Sequence, residues 1–447
     1  MTAGDTAGGG LDTPPRLEVD GLLDDPETRI IVCCGAGGVG KTTTAAALGV
    51  RAAERGRKAV VLTIDPARRL AQSMGIDSLD NTPRKVTGVG VGEGDGVGRV
   101  GEGGELHAMM LDMKRTFDEI VEGHTDGERA AAILANPFYQ SLSAGFAGTQ
   151  EYMAMEKLGQ LRARDDWDLI IVDTPPSRSA LDFLDAPKRL GSFLDGKFIR
   201  VLMAPAKVGG RAGMKFLNVG MSLMTGTLSK LMGASLLKDV QTFVAAMDTM
   251  FGGFRTRADA TFRLLQAPGT AFLVVAAPEP DALREAAYFV ERLAAERMPL
   301  AGLVLNRVHG SDAHQLSAER ALAAAENLEE RGIVDQESGK AGLRDSAAKA
   351  THEYTETPDT DAETDTVDSD PDTDTDADVD EITAGLLRLH AERMQVIARE
   401  QRTRDRFTSL HPEVAVAEVA ALPGDVHDLA GLRAIGERLA AGVPAGA

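Results

Sequence analysis

RIIVCCGAGGVGKTT, residues 29 to 43, decides the fold. Arg29 to Cys34 is a short apolar run ended by glycines, the pattern of a parallel strand covered on both faces. Lys41 to Arg55 then reads as a helix stopped by Gly56, and Lys58 to Ile64 (KAVVLTI) as a second buried strand. Strand, glycine loop, helix and strand make one βαβ unit. Outward from it, the apolar runs return at Trp167 to Asp173 (WDLIIVD), Ala271 to Ala277, Ala301 to Asn306 and Val414 to Leu422. Ala286, Ala287, Val290, Leu293 and Ala294 recur at helical spacing between two of them. The sequence therefore predicts an α/β fold, a doubly wound and mostly parallel sheet.

Composition points the same way. Hydrophobic residues make up 43% of the 447 and aromatics 4%, with one Trp, so the core must be built from Ala, Val, Leu and Met. Of a net charge of -20, fourteen acidic residues lie between Glu353 and Glu381 with no Lys or Arg among them, which leaves the remainder at -6. No basic footprint for nucleic acid is present. Cys33 and Cys34 are adjacent within an apolar run, which offers neither a disulfide framework nor metal-ligand spacing and suits a reducing compartment. The Gly-, Thr- and Asp-rich start lacks the regions of a secretory signal, and Phe216 to Leu237 is too interrupted to span a bilayer. The expectation is a cytoplasmic protein.

Four stretches stand outside the alternation. Residues 1–28 read as a disordered tail ahead of one domain, 29–447. Thr87 to Gly104, with nine glycines in eighteen residues, reads as a flexible loop. Lys188 to Arg263 is apolar and helical in period and holds no strand, so it reads as an inserted helical subdomain. Residues 335–380 lack the apolar content to offset their ordering entropy and read as an acidic, disordered linker.

Gly35 to Thr42, GAGGVGKT, matches the phosphate-loop pattern between a predicted strand and a predicted helix. Gly37, Gly38, Val39 and Gly40 would present backbone amides to phosphate oxygens, helped by the positive end of the helix. Lys41 would reach the β- and γ-phosphates, Thr42 would place its hydroxyl on Mg²⁺, and Thr43 would face the α-phosphate. Asp173 closes WDLIIVD, where a carboxylate needs a cation or hydrogen bonds; it suits the metal, and capping the following turn is the plainer role. Asp65 ends KAVVLTI, where it orients an attacking water or caps a helix.

The glycine loop, then Asp65-Pro66-Ala67, then Asp173-Thr174-Pro175-Pro176-Ser177 resemble the arsenite-pump and tail-anchored-protein-targeting ATPases over Arg29 to Ala441, minus the two insertions. The resemblance implies a dimeric, ATP- and Mg²⁺-dependent phosphate-loop ATPase. It makes Asp65 the first switch, which positions the hydrolytic water, and Asp173 the start of the second switch, which reports nucleotide state to a helical subdomain. It places Asn306 against adenine and Leu422-Pro423-Gly424 over it. Asn306-Arg307-Val308-His309 contains no Asp to read guanine, so ATP is expected over GTP.

Departures from the family pattern matter as well. Ala36 stands where the family carries a Lys that crosses the dimer to the partner's phosphates, and Ser177-Arg178-Ser179 replaces Thr-Gly-His. The zinc-stapling Cys-x-x-Cys and the separated metalloid-sensing cysteines are missing. The expectation is thus an ATPase working as a homodimer or as a heterodimer with a Lys-bearing paralogue; the alternative is a weakly hydrolysing regulatory subunit of that heterodimer. Between Met203 and Met250 lie seven of sixteen methionines, and Leu217, Met221, Met224, Leu228, Leu231, Met232 and Leu236 draw one apolar stripe. That stripe buries internally or accepts a hydrophobic client helix or membrane protein.

Overall fold

The computed structural model describes residues 14–64, 68–76, 79–89, 104–137, 139–140, 149–175, 256–330 and 372–441. They fall into two compact units, one running to Val308 and resuming at Thr403, the other running from His309 to Arg402. The strands are β1 (Ile30–Cys34), β2 (Lys58–Thr63), β3 (Arg84–Lys85), β4 (Glu105–Met110), β5 (Leu169–Asp173), β6 (Thr270–Ala276), β7 (Leu300–Val308) and β8 (Val416–Ala420). The helices are α1 (Val19–Asp24), α2 (Lys41–Glu54), α3 (Arg68–Ser73), α4 (Met113–His124), α5 (Gly127–Leu134), α6 (Thr149–Arg164), α7 (256–266), α8 (Pro280–Ala295), α9 (318–330), α10 (Asp372–Leu410) and α11 (Leu429–Ala441).

The first unit is the expected doubly wound sheet, ordered β3-β4-β2-β5-β1-β6-β7-β8. Every neighbouring pair is parallel except β3 with β4. Strand alternation sorts β1 between two cores: Ile30, Val32 and Cys34 join Tyr152 and Leu158 of α6 and Phe289 and Leu293 of α8. Ile31 and Cys33 join Ala45, Ala46 and Leu48 of α2 and Leu432 and Leu439 of α11. Both faces are therefore covered, which is why these strands read as continuous apolar runs.

One feature of this order positions the site. The chain passes from β1 through α2 to β2, yet β5 lies between those two strands. Register then places Cys33 beside Asp173 and Asp173 beside Thr63, one row across three parallel strands at their C-terminal edge.

Two boundaries need correction. The tail expected through residue 28 is built into the sheet from residue 14 onward. At the start of β8, the Leu17 amide donates to the Val416 carbonyl and the Val416 amide donates to the Pro15 carbonyl, and α1 buries Val19 and Leu23. Arg51 pairs with Asp20, and Arg55 with Asp24, which fastens α1 to α2. The acidic linker expected through residue 380 ends earlier, because α10 begins at Asp372. A helix of this length offsets its acidic start with apolar and Arg-rich turns that follow. Strands β3 and β4 are additions, and the last strand is narrower than Val414 to Leu422. Residues 90–103, 176–255 and 331–371 lie outside the described residues, and with them most of the glycine loop, the helical insertion with its methionine stripe, and the linker. Residues 256–263, the end of the expected insertion, belong to α7, whose Ala258 and Leu265 join the main core.

In the second unit α9 and α10 bury small residues, Ala321 and Ala325 on the first, Ala384 and Ala391 on the second. Arg388 pairs with Glu329, and the His390 ring nitrogen Nε2 lies 2.8 Å from the Leu316 carbonyl. Among the described residues no helix is long and apolar enough to cross a membrane.

Arg57 shows how the N-terminal segment is held. Its guanidinium is buried and donates to the carbonyls of Leu23, Asp25, Thr28 and Asp168 at 2.6–3.0 Å. Arg57→Ala removes charge-assisted partners from four carbonyls and should cost about 3 kcal/mol. Urea unfolding should register that loss, and limited proteolysis should release residues before Thr28 faster than in the parent chain. Unchanged behaviour in both measurements would contradict this role.

Candidate functional site

The site is assembled where β1 turns into α2. Gly40 is the residue ahead of the helix and sits at φ 94°, a backbone conformation costly to residues with a Cβ. A Cβ there would lie 2.2 Å from Asn306 Nδ2, so this close approach admits only glycine. Gly38, at φ 77°, has open space where a Cβ would stand, with nothing within 4 Å. The first turn of α2 has no side-chain cap. Its amides are thus left for an anion at the positive end of the helix.

The polar side chains converge beneath that loop. Asp173 is 1% exposed, and its Oδ2 accepts from the Thr42 hydroxyl at 2.7 Å and from the Thr63 hydroxyl at 3.1 Å. Lys41, also buried, donates from Nζ to the Ala36 carbonyl at 2.7 Å. Asn306 Nδ2 donates to the Val39 carbonyl at 2.8 Å, tying the end of β7 to the loop. A threonine hydroxyl beside a carboxylate is an all-oxygen donor pair of the kind Mg²⁺ prefers, and the open face at Gly38 leaves room for phosphate above it. The residues fit both groups.

Residues 28–335 match the family model of the anion-transporting ATPases. The chain belongs to that family. Among related proteins, ATPase GET3 of Malassezia globosa is 29% identical over 177 residues, 40% of this chain and 47% of that protein, so the match spans about half the relative's length. ATPase GET3 of Podospora anserina is 25% identical over 308 residues, 67% of this chain and 80% of the relative. A putative arsenical pump-driving ATPase of Aquifex aeolicus is 27% identical over 159 residues, 36% of this chain and 38% of that protein. The family resemblance and the fold class inferred from the sequence are thereby shown.

Within this member of the family, Lys41, Thr42 and Asp173 come together, and Val39, Gly40 and Asn306 form the adjoining loop contact. Gly37 is exposed at the loop's tip, and Thr43 lies half-buried in the first turn of α2. Pro423 is exposed just beyond β8, which lies next to β7 and so on the Asn306 side of the sheet. Asp65 lies outside the described residues, as do Pro66, Ala67 and the stretch from Pro176 that includes Ser177, Arg178 and Ser179. Their immediate neighbours are fixed: the Ile64 amide donates to the Asp173 carbonyl at 3.1 Å, and Thr174 Oγ1 donates to the Cys33 carbonyl at 2.8 Å.

Thr63 and Gln150 escaped the sequence reading, and Thr174 entered it only as part of a motif, with no role of its own. Thr63 completes the Asp173 site, Thr174 anchors the turn after β5, and Gln150 of α6 donates to the Ile64 carbonyl at 3.0 Å. The signal for Thr63 was a lone hydroxyl at the end of an otherwise apolar strand, KAVVLT.

Both cysteines are buried beneath the loop, and the Cys34 thiol donates to the Leu273 carbonyl at 3.6 Å. Burial pushes the Cys34 thiol up to about 12, opposed by the Lys41 charge. Cys33 is raised as well, first by burial and then by the Asp173 carboxylate. Both thiols stay protonated in the fold and ionise in the unfolded chain. Their contribution to stability is therefore whole below pH 9.0 and is lost as pH climbs towards about 12. The folded protein should resist iodoacetamide at pH 8 and take up two labels per chain only after denaturation, as read by intact mass. Rapid double labelling of the native protein would refute the buried, neutral state.

Proposed function

We propose that this chain binds ATP at the loop of Gly37 to Thr43 and hydrolyses it to ADP and phosphate. The observation that carries the reading is the 2.7 Å hydrogen bond between Thr42 and Asp173, which unites the start of α2 with the end of β5 beneath an uncapped helix terminus. Lys41, resting on the Ala36 carbonyl, is the cation nearest the phosphate position and would exchange that acceptor for phosphate oxygens. Thr42 and Asp173 would hold Mg²⁺, which when bound neutralises charge on the β- and γ-phosphates. Asp65, two residues after Thr63 in the sequence, would orient the attacking water for in-line displacement. Asn306 and Pro423 belong to the adenine side of the pocket, and no Asp follows Asn306 to select guanine.

The output of this cycle is conformational. ATP draws two chains together across the loop, the segment after Asp173 transmits that closure to residues 188–263, and hydrolysis reverses it in a cytoplasmic protein. The methionine-rich stripe of that region's sequence would suit a hydrophobic client helix or membrane protein. Ala36 favours a second arrangement, in which this chain pairs with a Lys-bearing paralogue and its own nucleotide receives the partner's cation. In that arrangement the isolated chain is a weakly hydrolysing regulatory subunit.

Two experiments separate these readings from each other and from failure. Lys41→Ala should lower kcat/KM for MgATP by at least about 100-fold, the loss typical of a missing charge-stabilising donor, and Asp65→Asn should abolish turnover while leaving binding by calorimetry nearly intact. Absence of any heat with MgATP in the parent chain would end the proposal. Turnover of the isolated chain should be slow and rise on adding a Lys-bearing paralogue; fast turnover alone would sink the heterodimer arrangement.

A further inference from the structure

Helix α10 carries apolar residues on two opposite sides. Ala384 and Ala391 are buried within the second unit. About half a turn away, Val379, Ile382, Leu386, Leu389 and Val396 are exposed at 56, 64, 64, 66 and 38%. These are five of the seven large apolar side chains exposed among the described residues, so exposure of this kind is concentrated on one face of one helix. Steps of three, four and three separate the first four, and Arg393 and then Val396 continue with four and three. That is the seam of a coiled coil, which an isolated solvated helix face does not require.

The spacing also reads the same backwards. Reversal about the midpoint of Leu386 and Leu389 brings Val379 onto Val396, Leu386 onto Leu389 and Ile382 onto Arg393. A second copy of the helix laid antiparallel thus supplies a matching stripe.

Charge chooses between the two directions. From Asp372 to Glu381 the sequence of α10 holds six acidic residues and no basic one. From Arg388 to Arg402 it holds four Arg against Glu392 and Glu400. A parallel pair would set the acidic ends together and Arg393 across from Arg393. An antiparallel pair sets each acidic end against the partner's Arg-rich half and brings Arg393 beside the partner's Glu381 and Ile382. Arg393 already donates Nε to the Gly310 carbonyl in its own chain, at 2.7 Å, which holds its stem near the seam.

We propose that two copies of this chain associate through the exposed face of α10 as an antiparallel helix pair, without need of nucleotide. This contact is separate from the loop-facing closure proposed above, and it stands or falls independently of ATP hydrolysis.

Sedimentation velocity of the nucleotide-free full chain over a dilution series should give twice the monomer mass at its upper concentrations. Leu386→Glu with Leu389→Glu should return the monomer mass while far-UV circular dichroism and the melting transition stay those of the parent, because both side chains are exposed. A parent chain that is monomeric throughout, or a dimer untouched by the paired Glu substitutions, overturns the proposal. Orientation has its own readout, which needs no loss of association. Val379→Cys combined with Val396→Cys should form an intermolecular disulfide under mild oxidation, and Val379→Cys alone should not. Equal cross-linking by the single variant would show a parallel pair and overturn the register proposed.

Discussion

A carboxylate with almost no access to water is stable only where donors or cations meet it, and Asp173 is such a group. Two hydroxyls meet its Oδ2, one from the first turn of α2 and one from the last residue of β2. The two could not be reached together if β1 and β2 were neighbours in the sheet. Because β5 is inserted between them, one row of residues carries Cys33, Asp173 and Thr63, and Thr42 descends onto that row from the helix above. Strand order, strand register and the point at which the helix begins are therefore a single requirement. Shifting β5 by one residue would turn the carboxylate to the opposite face of the sheet and leave both hydroxyls without it.

The electrostatics of the floor follow from the same packing. Cys33 and Cys34 fill the space under the loop with small, neutral side chains, since burial and the nearby Asp173 oppose a thiolate. Lys41 and Asp173 are thus the buried charges of opposite sign at the turn, in surroundings that screen them poorly. The Asn306 bond to the Val39 carbonyl adds no charge and instead fixes the loop from the far side, across β6. In this description Asn306 acts on the loop backbone, a role distinct from the adenine contact that the family resemblance implies for it.

How much was legible in the sequence depended on whether one residue type had one plausible use. GAGGVGKT and WDLIIVD were legible because a glycine-rich turn and a terminal carboxylate are poor choices for a doubly covered sheet unless something polar is to be met there. Thr63 was not, since threonine is an ordinary strand residue and its hydroxyl gains meaning only from the strand placed beside it. Strand β4, ELHAMM, was hidden by its position next to a run of glycines and by the polar residues Glu105 and His107, both half-buried, that interrupt its apolar pattern. The ordered N-terminal segment was missed for a similar reason: Leu17, Val19 and Leu23 are few, and only contact with α2 and β8 gives them a core. Helix α10 escaped because acidic composition governed the reading of its first turns, while its apolar residues are split between two faces and so make no single strong stripe.

Ala36 can be considered in the same physical terms. Its side chain is 9% exposed and belongs to the apolar cluster that includes Val39 and Ala45, while its carbonyl receives the Lys41 ammonium. The carbonyl is available whatever side chain stands at this position, so the resting place of Lys41 does not depend on alanine. The side chain does matter: a lysine here would have to leave that cluster or carry its ammonium into it beside another cation, and the latter is strongly disfavoured. A loop holding Lys at this position must therefore turn its residue outward, towards whatever lies across the loop face, whereas this loop turns it inward. Alanine at this position thus adds its side chain to the loop's own packing, while its carbonyl keeps the Lys41 ammonium at the turn.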